Sequence, residues 1–147
     1  MLRRLKADES GLTLIEIMIV IVILGLLATV IAPNVLPQRD KAKVAKAQHD
    51  IAVLETALQL YSLNVGDYPT TEQGLQALWE PPNPIPENWE KAVEKPLFKD
   101  SWGNNYVYLY PGNHQGYDYD LYSLGKDGKE GGDSFDADIT NWIEETE

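Results

Sequence analysis

An almost uninterrupted apolar run, Ile17 to Ala32, constrains this chain more than any other feature. Only a glycine and a threonine interrupt it. With the leucine and isoleucine residues just before it, the stretch reaches about twenty positions, which is the length that crosses a bilayer as a helix. The sequence therefore predicts a transmembrane helix over residues 12–36 and leaves residues 37–147 for a single small domain.

The residues around the start of the apolar run distinguish it from an ordinary secretory signal. Basic residues precede it, as in such a signal, but the run continues into a polar segment without a small-residue cleavage site. The small residue Gly11 lies instead before the run, and a carboxylate, Glu16, lies near its beginning. Because an ionised side chain in hydrocarbon is costly, Glu16 should have a partner or a function. In an assembly of parallel helices it could pair with the N-terminal amine of a neighbouring chain.

The segment GLTLIEIMIVIVILGLLATVIAPNV, which begins at Gly11, resembles the class III signal of type IV pilin-like proteins. The resemblance implies that residues 1–11 are a leader peptide, which a prepilin peptidase removes by cutting between Gly11 and Leu12. It also implies N-methylation of Leu12. Glu16 then becomes the fifth residue of the mature chain and takes part in assembly.

Beyond two prolines, the apolar residues recur at alternating steps of three and four positions. This spacing predicts an amphipathic helix that packs against its own domain. Its charged residues fall largely on other faces, namely Lys43, Lys46, Asp50 and Glu55. A coiled-coil seam is the alternative, but the repeat ends at Asn64 and Gly66 and is short for one. The apolar stripe consists of Val44, Ala47, Ile51, Leu54, Leu58, Tyr61 and Val65.

The second half of the chain contains signals for strands and for one short helix. Two alternating, tyrosine-rich segments, residues 105–110 and 117–122, are joined by a glycine-bounded connection and predict a β-hairpin. One face of this hairpin should cover the amphipathic helix. Thr71 is placed to cap a short helix that runs through Gln76 to Trp79.

The stretches YPTTEQGLQAL and WGNNYVY resemble the major pseudopilin family of the type II secretion system, general secretion pathway protein G. The resemblance implies an α+β, type IV pilin-like fold. In it a long N-terminal helix, first transmembrane and then amphipathic, packs on a small antiparallel β-sheet with a C-terminal calcium-binding loop. The implied location is the inner membrane, crossed once, with the C-terminal domain in the periplasm.

The same resemblance implies a structural role and no enzymatic one. Subunits would polymerise in the periplasm into a pseudopilus that drives export of folded proteins across the outer membrane. The implied partners are copies of the chain itself, minor pseudopilins, the inner-membrane secretion assembly platform and prepilin peptidase. A type IV pilus major pilin, serving adhesion or motility, is the alternative. A membrane-anchored calcium-binding module that never polymerises is a third possibility.

The stretch SLGKDGKEGGDSFDADITNW, residues 123–142, collects carboxylates between glycines. Such oxygen donors suit a hard cation that takes six to eight ligands, although a solvated acidic loop has the same composition. The spacing is not that of an EF-hand. The family resemblance implies a structural Ca²⁺ here. Its implied ligands are the Leu124 and Lys129 carbonyls with the side chains of Asp127, Ser134, Asp136 and Asp138.

Composition excludes several other classes of function. The formal net charge of −11 argues against a nucleic-acid partner, because a negatively charged chain is repelled by the phosphate backbone. The chain has no cysteine, which excludes disulfides, thiolate catalysis and sulfur-ligated metals. His49 and His114 lack the companions of a catalytic or transition-metal site, so solvated or structural roles are expected for both.

Overall fold

The computed structural model of this chain describes residues 13–143, apart from the side chains of residues 30–36. The described residues fall into two compact units, 13–38 and 39–143. One α-helix, α1, runs Leu14–Val65. The prediction of a single long N-terminal helix is therefore confirmed.

In the first unit, the apolar side chains of α1 are exposed from Leu14 to Leu27. Their exposed fractions range from 43% at Ile17 to 80% at Leu14. None of the helices within the described residues is long and apolar enough to cross a bilayer. The transmembrane segment predicted over residues 12–36 includes Leu12 and the side chains of residues 30–36, which lie outside the described part.

In the second unit, the predicted stripe of α1 lies in the core. Its five central members are buried, and Val44 and Val65 at its ends pack against the same cluster while half-buried. Tyrosine, leucine and isoleucine side chains from the strands complete this cluster, so the helix packs on its own domain as predicted. The buried stripe residues are Ala47, Ile51, Leu54, Leu58 and Tyr61, with Ala57 beside them.

The expectation that Asp50 lies on another face was wrong, since its exposed fraction is only 6%. The Tyr106 hydroxyl donates a hydrogen bond to Asp50 Oδ2 over 3.1 Å, and Lys46 Nζ donates to the same oxygen. A carboxylate tolerates burial when both charge and hydrogen-bond partners accompany it. Tyr106 comes 56 residues later in the chain, so helical spacing alone did not reveal this partner.

Three short antiparallel strands form the sheet in the order β1-β2-β3. They are β1 (Val107–Leu109), β2 (Asp120–Ser123) and β3 (Ile139–Thr140). The predicted hairpin is confirmed as the β1–β2 pair, with shorter strands than expected, and β3 was not predicted. All four residues of β2 are buried, including the polar ends Asp120 and Ser123, which have hydrogen-bond partners inside the domain.

The short helix is a single turn of 3-10 helix, Leu75–Leu78, and Thr71 does not cap it. Gly74 precedes the turn and makes no side-chain capping bond. Thr71 Oγ1 instead binds the main chain of Tyr110, donating to its carbonyl over 3.0 Å and accepting from its N–H over 2.8 Å. A partner just after β1 thus replaces the local cap.

Candidate functional site

The first residues of α1 hold Glu16 in a capping box with Thr13. The Glu16 carboxylate accepts hydrogen bonds from the Thr13 N–H over 2.8 Å and from its hydroxyl over 2.9 Å. In return, Thr13 Oγ1 accepts a bond from the Glu16 N–H over 3.3 Å. This reciprocal pattern satisfies backbone donors at a helix start. The predicted processing site, Gly11 and Leu12, lies outside the described residues.

The C-terminal loop leaves the sheet after β2 and returns to it at β3, so its two ends are neighbours. We call the part of the loop that follows β2 the outgoing limb and the part that leads into β3 the returning limb. The Lys126 N–H donates to the Phe135 carbonyl over 3.0 Å and joins the two limbs. Gly125 has a φ of 62°. A Cβ built there would approach the Ala137 carbonyl oxygen to 2.6 Å, so only glycine fits this crossing.

Asp127 and Asp138, predicted as ligands, each accept a main-chain bond within the loop. Asp127 Oδ1 accepts from the Lys129 N–H over 3.1 Å, and Asp138 Oδ2 accepts from the Gly131 N–H over 2.9 Å. The other oxygen, Asp138 Oδ1, is buried and has no hydrogen-bond partner among the described residues. Buried acceptors normally have partners, so this atom is the part of the loop that most needs a ligand.

The other predicted side-chain ligands lie on the returning limb. Ser134 has a φ of 60°, which is uncommon for a residue other than glycine. The Asp136 N–H donates to the Asp133 carbonyl over 3.1 Å, which closes a tight turn around Ser134. Among the described residues, no three His, Cys, Asp or Glu side chains are close enough together to hold a metal ion.

A cavity of about 390 Å³ lies beside the loop and was not anticipated from the sequence. Asp138 and Glu130 line it, as does His114, whose ring stacks on Trp142 with ring centroids 3.7 Å apart. His114 Nδ1 lies 3.1 Å from Asp120 Oδ1, and the Asp120 side chain is buried. The expected structural role for His114 fits these contacts.

Two charged groups near the loop alter neighbouring pKa values. Burial raises the pKa of Tyr122. The Glu130 carboxylate, which accepts a hydrogen bond from the Tyr122 hydroxyl, raises it further. The Asp40 carboxylate accepts a bond from Lys126 Nζ over 2.8 Å and raises the pKa of that amine. Lys126 therefore joins the start of the loop to α1.

Family models match nearly the whole chain. Residues 34–142 match the model described as Type II secretion system (T2SS), protein G. Residues 6–32 match the model described as the prokaryotic N-terminal methylation motif. The predicted leader, cleavage site and assembly glutamate thus fall within or beside a recognised methylation motif.

Relatives of similar sequence are named type II secretion system core protein G. The type II secretion system core protein G of Pseudomonas aeruginosa is 51% identical over 140 residues, which cover 93% of this chain and 97% of the relative. The Vibrio cholerae core protein G is 49% identical over 136 residues, covering 91% of this chain and 92% of the relative.

A solved structure agrees with these relatives. The crystal structure of the major pseudopilin from the type 2 secretion system of enterohaemorrhagic Escherichia coli is similar, with a TM-score of 0.60 and 40% sequence identity. The similarity covers 75% of this chain and 95% of that one. This chain therefore belongs to the protein G family of the type II secretion system.

Proposed function

We infer that this chain is the structural subunit of a type II secretion pseudopilus, a polymer that supports export of folded proteins across the outer membrane. The observation that carries the inference is the match of residues 34–142 to protein G directly after a methylation motif at residues 6–32. Relatives with about half of their residues identical over almost their full length are core proteins of that system. Its role is mechanical and not enzymatic.

The methylation motif supports processing before assembly. Prepilin peptidase would remove residues 1–11 by cutting between Gly11 and Leu12, and Leu12 would then be N-methylated. Residues 12–36 would hold the subunit in the inner membrane as a single pass, with residues 37–147 in the periplasm. Minor pseudopilins and the inner-membrane assembly platform would be its partners besides further copies of itself.

Glu16 would serve assembly by exchanging partners. Among the described residues its carboxylate binds Thr13, through bonds that exist without any neighbouring subunit. Next to the methylated amine of an adjacent subunit, the same carboxylate would gain an opposite charge in an apolar surrounding. The gain would be realised only in the polymer, which is what an assembly residue requires.

The residues of the C-terminal loop fit a structural Ca²⁺. The buried Asp138 Oδ1 lacks a hydrogen-bond partner among the described residues, and a hard cation would supply one. Because no three acidic or histidine side chains converge in the described part, the ligand set would include main-chain and hydroxyl oxygens. The proposed set is the Leu124 and Lys129 carbonyls and the side chains of Asp127, Ser134, Asp136 and Asp138, and its three carboxylates would have to move closer together to bind one ion.

The bound ion would supply cross-links between limbs of the loop, in a chain that has no cysteine for a disulfide. Asp127 lies on the outgoing limb, whereas Asp138 lies at the entry to β3. A cation shared by the two would fix the return of the chain to the sheet. It would also offset the repulsion among the loop carboxylates.

Deleting the gene in its own bacterium tests the proposed function against the type IV pilus alternative. We expect exported enzymes to accumulate in the periplasm while surface pili and twitching motility persist. Re-expression of the unaltered chain should restore export. Loss of pili with normal export would identify a type IV pilus major pilin instead. Normal export and normal pili would exclude both roles and favour a module that does not polymerise.

A further inference from the structure

The turn Asp100–Asn104 lies against the first residues of the C-terminal loop. Asp100 Oδ1 accepts hydrogen bonds from the N–H groups of Trp102 and Asn104, each over 2.9 Å. The Asp100 N–H donates to the Asn104 carbonyl over 2.8 Å and closes the turn. The turn is therefore held by three hydrogen bonds of its own.

Two side chains connect this turn to Gly125. Asn104 Nδ2 donates to the Gly125 carbonyl over 2.9 Å. Ser123 Oγ donates to Asp100 Oδ2 over 2.6 Å and accepts from the Gly125 N–H over 3.2 Å. Both polar groups of Gly125 are thus held by the turn, one directly and one through Ser123.

The Gly125 N–H belongs to the same planar peptide group as the Leu124 carbonyl. In a trans peptide the C=O and N–H point in opposite directions, so fixing the Gly125 N–H also fixes the direction of the Leu124 oxygen. That oxygen therefore points away from Ser123 Oγ, with its orientation determined by hydrogen bonds that exist without an ion.

The Asn104 side chain also contacts the next part of the loop, at Gly128. A Cβ built on Gly128 would lie 3.0 Å from Asn104 Oδ1, so the chain at Gly128 passes closely over this side chain. Gly128 lies between Asp127 and Lys129. Two of its members are shielded from water, since the exposed fraction is 7% for Asp100 and 0% for Ser123, and Asn104 is half-buried. Shielded hydrogen bonds of this kind hold geometry well.

We propose that Asp100, Asn104 and Ser123 are positioning residues for calcium, which preset the Leu124 carbonyl and the adjacent Asp127–Lys129 segment for binding. The proposal rests on the calcium site inferred above. In it, the three side chains contact the main chain that carries the ligands and do not contact the ion. Removal of a group that orients a metal ligand typically weakens metal affinity 10- to 100-fold.

Calorimetric titration of the full-length protein with Ca²⁺ in detergent micelles tests this role. Asn104→Ala should weaken calcium binding by about 10- to 100-fold, while the melting temperature in chelator falls only slightly. Asn105→Ala is the matched control, because it removes an exposed asparagine side chain from the next position and should leave the affinity unchanged. Ser123→Ala is the second variant, and its melting temperature in chelator reports whether it still folds.

The outcomes separate the positioning role from the calcium site. If Asn104→Ala and a folded Ser123→Ala bind calcium as the unaltered chain does, the positioning role is excluded and the site stands. If both variants lose stability in chelator without losing affinity, their role is structural only and the proposal is wrong. If the unaltered chain binds no calcium, the site and the positioning role fail together.

Discussion

Thr71 and Tyr110 are 39 residues apart in the chain, yet they form two hydrogen bonds with each other. The Thr71 hydroxyl acts as donor to the Tyr110 carbonyl and as acceptor for the Tyr110 N–H. The turn that precedes the 3-10 helix is thereby attached to the end of β1. Nearby, the Tyr108 hydroxyl donates to the Pro69 carbonyl over 2.8 Å and strengthens the same junction.

Removing the Thr71 hydroxyl should loosen this junction. Thr71→Val keeps the shape and leaves both Tyr110 main-chain groups without their partner, so we expect a loss of about 1 to 2 kcal/mol in the free energy of unfolding. Urea unfolding followed by tryptophan fluorescence measures it. Thr71→Ser retains the hydroxyl and should keep most of the stability. A loss in Thr71→Ser with none in Thr71→Val would show that the methyl group matters and the hydrogen bonds do not.

The cleavage prediction concerns Gly11. Replacing Gly11 with valine should leave the precursor uncut, because the peptidase site would no longer present a small residue before the apolar run. Intact-mass measurement of protein from its own membrane should show a chain that begins at Leu12 and carries one added methyl group. A product of mature size from Gly11→Val would contradict the assignment of the site.

Glu16→Gln separates local capping from assembly. Glutamine can still accept the Thr13 bonds of the capping box but carries no charge to attract a neighbour's amine. We expect the variant to insert into the membrane and to be processed. It should give little polymer when the subunits are cross-linked with a lysine-reactive reagent. Thr13→Ala is the matched control, which removes the two bonds of the Thr13 hydroxyl, leaves the bond from the backbone N–H and keeps the charge. Polymer yields that are normal in Glu16→Gln and reduced in Thr13→Ala would assign Glu16 to capping only.

Calcium should raise the melting temperature of the full-length protein relative to chelator. At a hundredfold excess over the dissociation constant, the ligand adds about 2.7 kcal/mol to the stability of the folded state. Asp127→Ala and Asp138→Ala should remove most of this difference, and magnesium should replace calcium poorly. Glu90→Ala, an exposed acid far along the chain from the loop, serves as the control. Glu130 is unsuitable for that purpose because it lines the same cavity as Asp138. Identical melting temperatures in calcium and chelator would show the loop to be a solvated acidic surface.

Alkaline pH should destabilise the domain through its buried tyrosines. Burial is the largest cause that raises the pKa values of Tyr106, Tyr108 and Tyr119 far above the ordinary value of 10.0. Near neutral pH both states keep these protons. Above pH 10 the unfolded chain loses them first, so the free energy of unfolding should fall as pH rises.

Unfolding titrations followed by tyrosinate absorbance measure this dependence. Tyr119→Phe should reduce its slope by up to one proton, because one fewer buried hydroxyl then differs between the folded and unfolded states. An unchanged slope would mean that Tyr119 ionises in the folded protein as it does in the unfolded chain.

The long helix and its buried stripe could be predicted because they depend on local sequence. A period near 3.6 and a run of apolar residues determine which face of α1 is buried, whatever it packs against. The hairpin was predictable for the same reason, from alternation and a glycine-bounded turn. In contrast, β3 has only two residues, which is too short to show any period of its own.

The errors at Asp50 and Thr71 have one physical cause. Each side chain has a preferred local role, on a solvent-facing helix surface or at a helix cap, and each is drawn to a distant partner in the folded domain. For Asp50 the partner is Tyr106, and for Thr71 it is Tyr110. The contacts of Asn104 with Gly125 likewise join separate parts of the sequence, so residue type alone did not single out this asparagine.

The pairing of β3 with β2 has a consequence for chain cleavage in the loop. Ser123 pairs with Ile139, and Asn141 adds a side-chain bond to the Leu121 N–H over 2.8 Å and another to the Tyr119 carbonyl over 3.2 Å. The two ends of the loop are therefore joined through the sheet, and the entropy of closing the loop is already lost on folding. A protease that cuts between them would leave a C-terminal fragment still attached to the domain by these bonds. Such a nicked subunit would separate into two pieces only after denaturation.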